Sequence, residues 1–230
     1  MEKKNGLARF ILQAIVANCA LIIGSLLKVS YIVGSKAAFF KATNIVSPLI
    51  GVFGGVGLSC SLLFFSFFKA FSTIGILSPF LYLLYHIPGF CGALYFALRG
   101  PVIKLFLPIL CMILFIVHPE GGKAYLYTFY WFIPMLLYFV RSKVFFLSAL
   151  SCTFVMHAVG SVVYLYTIPM AAPVWLGLIP VVFVERLLFA SGMTVTYLVV
   201  EKMKQKKDIL ASRLINTYAY IIKKSYNSPW

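Results

Sequence analysis

Residues 174–207 read VWLGLIPVVFVERLLFASGMTVTYLVVEKMKQKK. From Val174 to Val200 the run is apolar or weakly polar except for one adjacent pair, Glu185-Arg186. As a helix it would extend about 40 Å at roughly 1.5 Å per residue, more than the roughly 30 Å of a bilayer's hydrocarbon core. Directly after it come Lys202, Lys204, Lys206 and Lys207. A long apolar run that ends in a cluster of lysines reads as a transmembrane helix leaving the membrane on the cytoplasmic side.

Working outward, six more apolar segments precede it: Leu7 to Leu27, Asn44 to Phe68, Ile74 to Leu98, Val102 to His118, Ala124 to Val140 and Val144 to Ile168. They are punctuated at Lys69, Arg99-Gly100-Pro101, Pro119 to Lys123, Arg141-Ser142-Lys143 and Pro169 to Pro173, where Gly, Pro and charge interrupt the apolar pattern. The whole chain of 230 residues is 62% hydrophobic and 11% charged, too few polar groups to coat a water-soluble globule. The fold expected is all-α: a polytopic integral membrane protein with one helical domain over residues 1–200 and a basic tail over 201–230.

Twenty Lys and Arg stand against five Asp and Glu. In a soluble protein that excess would point to nucleic acid, but here the cations sit at segment ends, so they report topology and no nucleic-acid partner is expected. Placing the tail in the cytoplasm and alternating backwards puts Lys28, Lys36, Lys41, Arg99, Lys104, Arg141 and Lys143 on the same side, with Lys69 and Lys123 opposite. The first segment sets the parity. If it lies shallow, six crossings remain, both termini are cytoplasmic, and 17 cations are inside. If it crosses, there are seven and Lys3, Lys4 and Arg9 lie outside. The distribution favours six, and a bacterial inner membrane is the expected location. In the tail, Leu210, Leu214, Tyr218, Ile221 and Ile222 recur at helical spacing among lysines, the pattern of an amphipathic helix on an anionic membrane surface.

An ionisable residue at membrane depth is costly, so Glu185 and Arg186 are the leading candidates for function. His157 lies twelve residues before Pro169 and Glu185 twelve after Pro173, so in a hairpin both sit about 18 Å from the turn, level with each other. A binding pocket built from His157, Glu185 and Arg186 is the functional reading; a packing clamp is its bland counterpart. Tyr130 and Trp131 are candidate aromatic walls for a flat ligand, while Tyr125 and Tyr127 read as interfacial belt residues. Gly51 and Gly55 form a small-xxx-small pair suited to close helix packing or partner docking.

The five cysteines form no CxxC pair and read as buried apolar residues; no metal or other cofactor is expected. Nucleotide-binding, zinc-protease and serine-hydrolase motifs are absent, so no enzymatic activity is expected and any transport energy must come from an ion gradient or a separate subunit.

A small, basic chain of about six spans with the Pro- and Gly-rich stretch Ala42-Thr43-Asn44-Ile45-Val46-Ser47-Pro48-Leu49-Ile50-Gly51-Val52-Phe53-Gly54-Gly55 resembles the substrate-binding S-components of energy-coupling-factor vitamin transporters. That resemblance implies capture of a vitamin-like small molecule and docking onto a transporter membrane subunit driven by two ATPases. It further implies docking through an alanine pair on the first helix, for which the nearest equivalent here is Ala20 with Gly24. A small-molecule uptake component is therefore the expected function. A noncatalytic membrane scaffold or assembly factor is the alternative, and a membrane enzyme using His157 and Glu185 as an acid–base pair ranks third.

Overall fold

The computed structural model describes residues 2–31, 39–74, 83–140 and 143–226. Lys36 and Arg141 lie outside the described residues, as does much of the first half of the Ile74 to Leu98 segment. Among the described residues the regular structure is helical apart from a short antiparallel ribbon, β1 (Lys28–Tyr31) with β2 (Phe39–Lys41). Two compact units are present, Met1–Met193 and Thr194–Trp230. The expected domain boundary, between residues 200 and 201, falls inside a helix that continues across it.

In the first unit, α1 (Glu2–Leu26) is followed by the ribbon and by α2 (Thr43–Ile74). Helix α2 runs through Lys69, where a break was expected, and Ile74 is its last residue rather than the start of the next segment. The interruption instead lies at Gly55, whose φ of 63° and ψ of −160° leave the helical region and are open to glycine because it has no Cβ. Ser59 Oγ donates to the Gly55 carbonyl at 2.8 Å, satisfying an acceptor beside the kink.

Helix α3 (Ile87–Ala97) packs closely on α2. A Cβ added to Gly51 would collide with the Ala93 backbone carbonyl, so the glycine is what lets the two backbones touch. Gly51 is thus committed to packing within the chain. Gly24 is likewise buried, against the backbone of Thr43, while Ala20 is half-buried on α1.

Next come a π-helical turn (Val102–Phe106), α4 (Leu107–Val117), the short α5 (Pro119–Lys123), a 3₁₀ turn (Tyr125–Trp131) and α6 (Phe132–Val140). Helix α7 (Phe145–Thr167) is central: it contacts α3, α4 and α6, and every residue from Ser151 to Val159 is buried. A helix apolar on all sides belongs in such a position. After α8 (Ala172–Gly177) the chain re-enters helix at α9 (Ile179–Tyr226), so the last expected segment is divided at Leu178, just ahead of Pro180. The helix-breaking geometry of proline accounts for the division.

Among the described residues four helical stretches are long and apolar enough to cross a membrane: Gly6–Leu26, Thr43–Phe64, Phe145–Thr167 and Ile179–Leu210. Ile87–Ala97, Val102–Val117 and Tyr125–Val140 are shorter apolar helices. Their outer faces carry large exposed apolar side chains, among them Val117, Leu136, Phe139 and Val184, a surface suited to lipid.

In the second unit residues 194–226 are helical, with Lys204 paired to Glu201 at 3.2 Å. Leu210 is exposed. The side chains of Leu214, Tyr218, Ile221 and Ile222 lie outside the description.

Candidate functional site

The local structure that builds the site begins at the turn between α4 and the 3₁₀ segment. His118 Nδ1 accepts from the Glu120 N–H at 3.3 Å and so caps α5. Gly121 fits this turn because a Cβ would collide with the Phe115 carbonyl. Glu120 pairs with Lys123 through one carboxylate oxygen and accepts the Ala172 N–H through the other, at 2.8 Å. The Lys123 ammonium, and after it the Ala172 N–H, hold the Glu120 carboxyl below its usual range. This carboxylate ties the start of α8 to the turn and thereby positions Trp175.

Next to that turn is an aromatic core. Phe115 stacks on Tyr127 with centroids 5.6 Å apart and meets Trp131 and Trp175 edge-on at 5.3 and 5.2 Å. Tyr127 is 2% exposed, so it is no interfacial belt residue. The 3₁₀ winding turns it inward against α7, whereas Tyr125, which is exposed, fits the belt expectation.

His157 is the hub of the polar network. Trp131 Nε1 donates to its Nδ1 at 3.2 Å, and its Nε2 lies 2.8 Å from the Tyr127 hydroxyl and 3.4 Å from Ser161 Oγ. An indole nitrogen can only donate, so Nδ1 is the acceptor and the single imidazole proton sits on Nε2. Nε2–H then donates to the Tyr127 oxygen. The Tyr127 hydroxyl, accepting from His157 and at 3.5 Å from Ser161, keeps its own proton for another acceptor.

Glu185 and Arg186, at 6% and 4% exposure, face one another with Arg186 Nη2 3.5 Å from Glu185 Oε2. The Arg186 guanidinium also lies 5.0 Å above the Phe189 ring, and both residues make further contacts.

These groups surround a cavity of about 540 Å³, within the range typical of small-molecule sites. Its lining includes His157, Ser161, Glu185, Arg186, Tyr127 and Trp175, with apolar surface from Leu21, Leu62, Pro88, Met156 and Val182. The hairpin arithmetic thus brought His157 and Glu185 to one cavity, although the ring nitrogens of His157 are held by Tyr127, Trp131 and Ser161 rather than by the carboxylate.

Tyr130 and Trp131, expected as ligand walls, are outside the lining. Trp131 stands behind His157, fully buried; Tyr130 stacks on Phe154 and donates its hydroxyl to the Ile179 carbonyl at 2.9 Å. Trp175 takes the place of an aromatic wall, and its Nε1–H meets no hydrogen-bond partner among the described residues. No cluster of metal-ligating side chains occurs among the described residues.

No family model, curated protein or solved structure matches the chain.

Proposed function

We propose that this chain captures a small molecule inside its helical bundle, as the binding component of an uptake system powered by an ion gradient or by separate ATPase subunits. The observation that carries the reading is that His157, Glu185 and Arg186, the costliest side chains to hold at membrane depth, converge on one cavity with mostly apolar walls.

The donors suggest the ligand's chemistry. Tyr127, Trp175 and Arg186 line the cavity with side chains that can donate, Arg186 while paired with Glu185, so the preferred ligand is an apolar body bearing a carboxylate or carbonyl group. A vitamin-like acid fits. Close packing of Gly51 on Ala93 gives that glycine a structural use within the chain, which weighs against Gly51 itself as a docking face.

The test is thermal stability of the detergent-purified protein against vitamins and small carboxylates. A ligand at 100 times its Kd adds about 2.7 kcal/mol, so a true ligand stands out in a melting curve. A hit lost on changing Arg186 supports the reading. No hit from a folded sample across a broad panel removes it.

Transmembrane topology belongs to the same proposal: the basic tail is cytoplasmic, on the strength of its lysines. The count turns on α1. Its length and apolarity support a seventh crossing, whereas the cations Lys3, Lys4 and Arg9 support a shallow helix and six. A reporter fused ahead of Lys3 should be cytoplasmic for six crossings, and an external reporter establishes seven.

A further inference from the structure

A second cavity, of about 360 Å³, is lined by Tyr95, Arg99, Lys104, Tyr138 and Ser148 together with Leu137 and Leu147. It draws on the end of α3, the π-helical turn, α6 and the first turn of α7. Its polar groups are two cations and three hydroxyls, with no carboxylate in the lining. Lys104 is half-buried, its ammonium 5.0 Å above the Tyr95 ring, and neither it nor Arg99 pairs with a carboxylate among the described residues.

Topology alone does not require this arrangement. Retaining a loop in the cytoplasm needs only exposed cations, such as Lys143. Holding an ammonium half out of water without a counter-charge is unfavourable unless an anion completes the site. The first turn of α7, which supplies Leu147 and Ser148, also brings the positive end of that helix's dipole to the same place. We infer that this cavity binds a phosphate group, with Arg99 and Lys104 as charge partners and the Tyr138 and Ser148 hydroxyls as donors. A basic pocket between membrane helices at this level suits the headgroup of an anionic phospholipid, and a free phosphate ester carries the same chemistry.

The experiment is native mass spectrometry of the full chain in detergent, titrated with phosphatidylglycerol and, separately, with phosphatidylcholine. Wild type should retain phosphatidylglycerol preferentially. Arg99→Gln and Lys104→Gln should each weaken that retention about fivefold, and the pair about 25-fold. Competition separates the two sources: displacement by millimolar inorganic phosphate supports a free-anion site, and lipid that resists displacement supports a headgroup site. Retention by the paired variant equal to wild type would overturn the inference. Should the Lys104 variant fail to fold, the exposed Arg99 carries the test, and wild-type retention in Arg99→Gln overturns it equally.

Discussion

The adjacent charges Glu185 and Arg186 offer the most informative perturbation, because stability and binding respond differently to it. At 3.5 Å and the effective dielectric of about 20 that suits protein sites, their attraction is about 5 kcal/mol. Both are more than nine-tenths buried, so removing one deprives the other of its adjacent counter-charge in a poorly solvated setting. Arg186→Met alone, or Glu185→Gln alone, should therefore cost about 3–5 kcal/mol. The double variant removes both charges at once and should cost less than the two singles together, by up to about 3 kcal/mol. Further contacts made by both side chains keep the recovery incomplete.

Reversible denaturant titration of the purified protein in mixed micelles measures all four species. Single variants within about 1 kcal/mol of wild type would refute the buried, coupled pair, since losing a counter-charge 3.5 Å away inside the protein costs more than that. The second readout is the ligand-dependent melting shift. If the pair orients a ligand, the double variant folds but loses the shift. If it folds and keeps the shift, the two residues are a packing clamp and the binding proposal loses its carrying residues.

Three further expectations follow from individual contacts. Gly51→Ala forces α2 from α3 and should cost about 1–3 kcal/mol or more, whereas Gly57→Ala, whose new Cβ meets only the Phe10 ring at 3.3 Å, should cost less in the same titration. Trp175→Phe keeps most of the aromatic surface and removes an N–H that has no partner among the described residues. Stability should stay within about 1 kcal/mol while ligand affinity falls about fivefold, the worth of one hydrogen bond. Glu120 contributes stability above the ordinary carboxylate range that is lost as pH falls through its lowered folded value, so Glu120→Gln should melt below wild type at neutral pH and converge with it in acid.

Much of the fold was legible because apolar length is a direct physical demand of the bilayer: the α7 and α9 spans follow from it. Boundaries were less so. Lys69 looked like a stop, yet lysine is itself a good helix former and need not end a helix, and Gly55, which read as a packing residue, is where α2 leaves helical geometry. Pro180 divides the last segment, a break predictable from proline chemistry but masked by the continuous apolarity around it.

In the site, Glu185 and Arg186 announced themselves by their cost, and His157 by its depth in the hairpin. Tyr127 was hidden, since its neighbours fit an interfacial belt and only the 3₁₀ winding reveals that it turns inward. Ser161 could have been found from the sequence, being one helical turn beyond His157 and on the same face. Trp175 had no signal of its own, because a contact between α8 and the aromatic core depends on how Glu120 anchors the intervening turn.

The hydrogen-bond directions around His157 bear on what kind of site this is. Trp131 fixes Nδ1 as an acceptor, so His157 takes up a second proton only by giving up that bond in a buried setting. An acid–base catalyst needs a nitrogen that exchanges protons with substrate, and both nitrogens here are spent on Trp131, Tyr127 and Ser161. The network instead passes its donor capacity outward, from Trp131 through His157 to the Tyr127 hydroxyl at the cavity wall. A fixed donor pre-oriented by a buried relay serves recognition of an acceptor on a bound molecule, which supports capture over acid–base chemistry.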